Sequence, residues 1–299
     1  MNTITTRPFR VLADCEKIYQ FLLKIYERDW RNGVPAPFFE YAYNSFSDWM
    51  DISYSYKNRI WMCGGEIVAF CFYENPVTDI YFCLNPEYEA LAPEMVAYAD
   101  QTMPLNRNGI RLVLFGGQDA LMHAAQQMGY HQESEHWDMQ FDFAQKLDYP
   151  LPEGFHFVSP QDMDLSKMGK CCWKGFDHEP SEGLWNHQHE QNNFQLCIAP
   201  HATPELDVII ADEPGEYACF AGMWWTPENR LAYMEPLCTI PEYRQKGLAA
   251  AALSEMYRRT KALGATHMTG GNNPFYRKIG YQPAVKWTFW QKQKKKEGK

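Results

Sequence analysis

The chain has 299 residues, 45% of them apolar, and a formal net charge of −9; this length is comfortable for two hydrophobic cores. Its 37 acidic against 28 basic residues argue against a nucleic-acid binder, which needs a basic face, and no apolar stretch is long enough for a membrane span or a signal core. Nine cysteines with no CxxC pair suit neither a zinc site nor a disulfide framework, so reduced thiols, a cytoplasmic location and no bound metal are expected.

Along the chain, Ile18, Phe21, Leu22, Ile25 and Tyr26 sit at helical spacing and predict an early helix. The run RIWMCGGEIVAFCFYE (59–74) reads as a hairpin turning at Gly64–Gly65. Pro86-Glu87-Tyr88 precedes a helix, Gly116–Gly117 marks a turn, and Trp137, Met139, Phe141 and Phe143 alternate as in a strand. The proline-broken stretch AQKLDYPLPEG (144–154) reads as a linker.

The same order then returns. VIIADEPGEYACFAGMWW (208–225) is a second hairpin, turning at Glu213-Pro214-Gly215. A strand over Leu231–Thr239 leads into Pro241-Glu242-Tyr243 and a helix from Gly247 that carries Leu253, Met256 and Leu263 and stops at Gly264. Gly270–Gly271 and the alternation Val285, Trp287, Phe289 follow. The matched landmarks lie 155, 154 and 151 residues apart, a drift too small for three chance matches. The chain therefore reads as a tandem repeat of two α/β domains, each with a mixed α+β sheet, over residues 1–145 and 151–299.

Chemistry concentrates in the turn YRQKGLAAAALSEMYRR (243–259). The first amides of a helix have no internal partner and, with the helix dipole, form an anion site. Gly247 permits close approach, Arg244 and Lys246 add charge, and Ala249 to Ala252 keep the first turns clear. The residues alone leave a second reading open, an ordinary turn before a helix whose alanines serve propensity.

Arg244-x-x-Gly247-x-Ala249, preceded by a strand and by PEY, resembles the acetyl-CoA signature of the GNAT acyltransferase superfamily. NPFYRKIGY (273–281) is similar to that family's later motif. The resemblance covers residues 155–290, and residues 7–143 resemble the same fold with eroded motifs. It implies an N-acetyltransferase that moves an acetyl or short acyl group from acetyl-CoA to a small-molecule or peptide amine by direct attack. The pantetheine is then expected along Leu237, Cys238 and Thr239, and the diphosphate on the amides of Gln245, Lys246, Gly247, Leu248, Ala249 and Ala250 beside Arg244. A backbone N–H near Cys238 would support the oxyanion, and Tyr276 would protonate the leaving thiolate.

The family's usual asparagine before this tyrosine is replaced by Thr269-Gly270-Gly271. Asn273 stands beside the expected cofactor but also reads as a helix cap ahead of Pro274. Glu235 could serve as the base, or be an ordinary strand carboxylate. Asp177, His178, His187 and His189 fall where the fold admits an acceptor, or form a solvated loop.

In the first half Glu89 replaces Arg244, Ala92 replaces Gly247, Pro93 intrudes, and Ala125 takes the place of Tyr276. One CoA per chain is expected, with oligomers possible and a bracing role for the first half. A 150–299 fragment is expected to keep CoA binding and lose transfer. The competing class is a non-catalytic acyl-CoA-binding regulator; an aminoacyl or long-chain transferase fits the intact CoA signature less well.

Overall fold

The computed structural model describes residues 3–43, 50–104, 109–186, 197 and 199–292. Among the described residues the first half runs β1 (Ile4–Pro8), α1 (Val11–Ile25), α2 (Ala36–Tyr43), β2 (Arg59–Cys63), β3 (Glu66–Glu74), β4 (Asp79–Leu84), α3 (Ala92–Thr102), β5 (Arg111–Phe115), α4 (Asp119–Gln127) and β6 (Tyr130–Asp142). The second runs β7 (Phe155–Val158), α5 (Leu165–Gly175), α6 (Glu179–Glu182), β8 (Val208–Asp212), β9 (Tyr217–Thr226), β10 (Leu231–Thr239), α7 (Leu248–Ala262), β11 (His267–Thr269), α8 (Pro274–Lys278) and β12 (Gln282–Lys292). The two orders are the same, as the repeated landmarks require. Both PEY triplets open short 3₁₀ turns, where proline's fixed φ suits the first position.

Grouping in space does not follow the halves. One compact unit gathers the described residues up to Asp138 together with 283–292; the other is 139–282. In the first unit β1 to β4 pair antiparallel in order, and β4 pairs parallel with β5 from Asp79↔Arg111 to Tyr81↔Val113. β12 lies antiparallel on β5, Trp287 opposite Phe115. Much of the aromatic content is inside this unit: Phe9, Phe39, Tyr43, Phe70 and Phe72 form a chain of rings with centroids 4.9–6.0 Å apart.

In the second unit β7, β8, β9 and β10 pair antiparallel, and β11 pairs with residues 140–142 at the end of β6. Alternate strand residues divide two cores. Val208, Ile210, Ala221, Met223, Ala232 and Met234 pack with α7, and Ile209, Ala211, Phe220 and Cys238 pack with Met168 and Cys171 of α5.

Met139, Phe141, Phe143 and Leu147 belong to the core beneath α7. A 150–299 fragment lacks all four and strips β12 of its β5 partner. Losing Phe and Met side chains from a core costs about 2–5 kcal/mol each, and the sum rivals the whole stability of about 5–15 kcal/mol. The structure thus changes the expectation for this fragment. It should show no cooperative melt by circular dichroism and no CoA binding by calorimetry, whereas a fragment starting near residue 136 supplies the missing strand end. A folded, CoA-binding 150–299 fragment would contradict this.

Candidate active site

Three local devices meet in the second unit. The first is a bulge in β10. Its register against β9 shifts between Met234 and Leu237, so Glu235 and Pro236 stand opposite the single residue Gly222. A side chain at position 222 would run into the main-chain oxygen of Glu235 and the ring of Pro236. Pro236 has no N–H to leave unpaired where the ladder breaks.

The second device is the parting of β10 from β11. Their parallel pairing is confined to Leu231↔His267 and Ala232↔Met268. Met234 N–H then donates to Thr269 Oγ1 at 2.8 Å, a side chain standing in for the next ladder bond. Beyond it, Ile240 N–H donates back to Ala218 O of the β9 side at 3.0 Å. Antiparallel ladders alternate, so Cys238 also bonds toward β9, while Leu237 and Thr239 turn their backbone groups to the open side. The Thr239 carbonyl accepts from Arg244 Nε at 3.1 Å. The N–H expected near Cys238 is therefore that of Leu237 or Thr239. The Cys238 side chain is buried against α5, with Sγ 3.7 Å from Cys171 O.

The third device is the turn into α7. Gln245 (φ 64°) and Gly247 (φ 89°) are both left-handed, a shape that turns successive amides to one side. Gly247 caps α7 without a side-chain bond, and the first return bond is Ala251 N–H to Gly247 O at 3.0 Å. The N–H groups of Leu248, Ala249 and Ala250 hence lack intrahelical acceptors. Lys246 stands exposed on the turn, its Nζ 4.6 Å from the Tyr243 ring centroid.

Two expectations change here. The Arg244 guanidinium does not face this cradle: Nη2 donates to Gly175 O and Asp177 Oδ1, each at 2.9 Å, so Arg244 ties down the end of α5. Ala250, Ala251 and Ala252 are buried; they are small because α7 packs closely on the sheet, and only Ala249 is partly open.

Facing the open side of β10, β11 runs on into Gly270 and Gly271. A Cβ at Gly270 would sit 2.8 Å from the ring of Tyr276 and 2.9 Å from that of Tyr281. Tyr276, 8% exposed, is thus laid flat against the strand end. Asn273 Oδ1 accepts from Phe275 N–H at 2.9 Å and so caps α8 ahead of Pro274. His178 pairs with Glu182 at 2.6 Å and stacks on Trp173 at 4.7 Å. Asp177 holds Arg244, and His187 and His189 lie outside the described residues. Sequence reasoning missed Gly222, Pro236 and Thr269, although an isolated glycine inside a strand is a bulge signal.

The acetyltransferase (GNAT) domain family matches residues 204–283, the stretch that contains all three devices. Residues 204–283 therefore carry the sequence likeness to the GNAT family. The fold extends the likeness to the whole chain. A GCN5-related N-acetyltransferase from Sphaerobacter thermophilus is 15% identical with TM-score 0.58, covering 96% of this chain and 94% of that one. A tandem GNAT protein from the clavulanic acid biosynthesis pathway is 14% identical with TM-score 0.58, covering 96% and 98%. A GNAT-family acetyltransferase from Colwellia psychrerythraea is 11% identical with TM-score 0.57, covering 97% and 100%. No curated protein matches. The architecture is two tandem GNAT-like domains.

In the first GNAT-like unit the corresponding cleft is filled. Phe82 and Leu84 occupy the repeat positions of Leu237 and Thr239. Leu84 N–H donates to Asn32 O at 2.8 Å. The buried Gln118 donates from Nε2 to Phe82 O at 3.0 Å and accepts Phe115 N–H at 2.9 Å. A glutamine side chain thus bridges the two parting strands. Leu91, at the start of α3, is right-handed and is followed by Pro93 and Glu94, so no anion cradle forms.

Among the described residues no cluster of His, Cys, Asp or Glu could hold a metal ion, and no helix is long and apolar enough to cross a membrane.

Proposed function

We propose that the second unit is an N-acetyltransferase, moving an acetyl or short acyl group from acetyl-CoA to an amine by direct attack. The observation supporting this most is the pairing of an open β10 edge with a left-handed anion turn, both absent at the equivalent place in the first unit. The residues fit the co-substrate: the amides from Gln245 to Ala250 and the Lys246 charge suit a diphosphate, and the outward groups of Leu237 and Thr239 suit an extended amide-bearing arm. Bound acetyl-CoA supplies an activated thioester. Leu237 or Thr239 N–H is assigned to its carbonyl oxygen, Tyr276 to the proton needed by the departing sulfur, and Glu235, in the bulge, to the proton leaving the amine. Nine cysteines outside any disulfide are consistent with a reducing, cytoplasmic setting.

Calorimetry with CoA should show one site per chain. Thiol release from acetyl-CoA should rise above the no-acceptor rate for at least one amine in a panel of alkylamines, amino acids, amino sugars and peptides. Two equivalent sites would contradict the filled cleft of the first unit, and binding without thiol release on any amine would leave a regulator.

A further inference from the structure

We infer that a pocket beside the bulge receives the acceptor as an ammonium group on an unbranched alkyl chain, and that Asp207 selects for it. The fate of the amine rests on the acyl-transfer reading; its recognition does not.

The pocket is a small open notch with a cavity volume of about 10 Å³, lined by Thr203, Asp207, Phe220, Trp224, Glu235 and Pro236 among others, with no Lys, Arg or His among the described residues of its wall. About 10–15 Å³ of such volume holds one water-sized group, so this notch takes the head group alone and leaves the rest of the acceptor outside. Two carboxylates and two aromatic rings favour a cation and repel an acceptor with a carboxylate or phosphate beside its nitrogen.

Asp207 is the unusual member. It is 8% exposed, and its Oδ1 accepts Met223 N–H at 2.8 Å. The neighbouring Arg259 spends its Nη1 on the main-chain oxygen of Asp207 at 2.8 Å and its Nε on Glu255 at 2.8 Å, and Glu205 adds a second negative charge nearby. Burial pushes the Asp207 carboxyl well above the usual carboxylate range. Among the described residues no cationic side chain pairs with this carboxyl; a buried carboxylate so placed is costly, and an arriving ammonium supplies the missing charge. Hydroxyl-rich acceptors gain little here. Thr203 Oγ1 already donates to Met223 O at 2.7 Å and accepts Trp225 N–H at 3.1 Å.

The test is calorimetry on the full chain without CoA, using n-butylamine, Nα-acetyl-lysine methylamide, glucosamine and glycine. The two alkylammonium probes should bind about tenfold or more tighter than the other two, the worth of one charge-assisted bond. The stronger of the two distinguishes a free amine from a lysine side chain as the source. Asp207→Asn keeps an oxygen for Met223 N–H and should keep CoA affinity and melting behaviour, but lose that preference. Equal binding of all four probes overturns the inference. So does an Asp207→Asn protein with unchanged amine affinity, which would make Asp207 a cap for Met223 and nothing more. If Asp207→Asn fails to fold, the wild-type ranking decides. Failure to bind CoA in the same preparation overturns the acyl-transfer reading instead, and leaves the amine result standing.

Discussion

Tyr276→Phe is expected to lower turnover about 10²- to 10⁴-fold, the usual worth of a general acid, with little change in CoA affinity. The substitution keeps the ring, and the ring is what the surroundings hold. Gly270 leaves room for it, and its centroid lies 5.3 Å from Phe275 and 5.2 Å from Tyr281. Packing should therefore persist, and the effect should fall on kcat and kcat/KM together. Tyr281 is the internal control. It is fully buried, and its hydroxyl has no hydrogen-bond partner among the described residues, so Tyr281→Phe removes an unsatisfied polar atom and should be neutral or slightly stabilising. Steady-state kinetics on both variants separates the roles. Equal activity of Tyr276→Phe and wild type would mean that the sulfur departs without this phenol.

Gly247→Trp is expected to abolish CoA binding while leaving a folded protein. A Cβ at position 247 meets nothing closer than Pro152 Cγ at 3.9 Å, so the fold has space for a side chain. The left-handed backbone at φ 89° costs a non-glycine residue about 1–2 kcal/mol, which lowers the melting temperature by a few degrees without unfolding the chain. The indole would cover the amides of Leu248 to Ala250. Calorimetry should detect no CoA binding and circular dichroism a native spectrum; retained affinity would place the diphosphate elsewhere. The reverse change, Ala92→Gly in the first half, should create no site, because Gln118 and Asn32 still fill the parted strands.

Much of the fold was legible because it is written twice. Paired glycines, PEY triplets and alternating terminal strands are local signals, each set by the backbone geometry of one turn or one pleat, and their recurrence at offsets of 155 to 151 residues revealed the tandem without any tertiary information. The anion turn was legible for the same reason. A glycine at a helix start and unpaired first-turn amides are properties of a few consecutive residues.

Roles that depend on residues far apart in sequence were not legible. Arg244 looked like a phosphate ligand until Gly175 and Asp177, 69 and 67 positions away, claimed its guanidinium. The alanines of α7 looked like clearance until the sheet beneath them showed close packing. Gln118 carries no motif, yet it fills the first cleft because Phe82 and Phe115, brought side by side by parallel pairing, present a carbonyl and an amide one glutamine apart. The sequence by itself determined the repeat, the elements and the turn chemistry, since these follow from short-range sterics and hydrogen bonding. Which unit owns each terminal strand was decided by tertiary structure alone. An alternating apolar strand is equally satisfied by any sheet edge of matching pattern, and only the assembled cores show that Met139 and Phe141 are buried in the second unit while Trp287 is buried in the first.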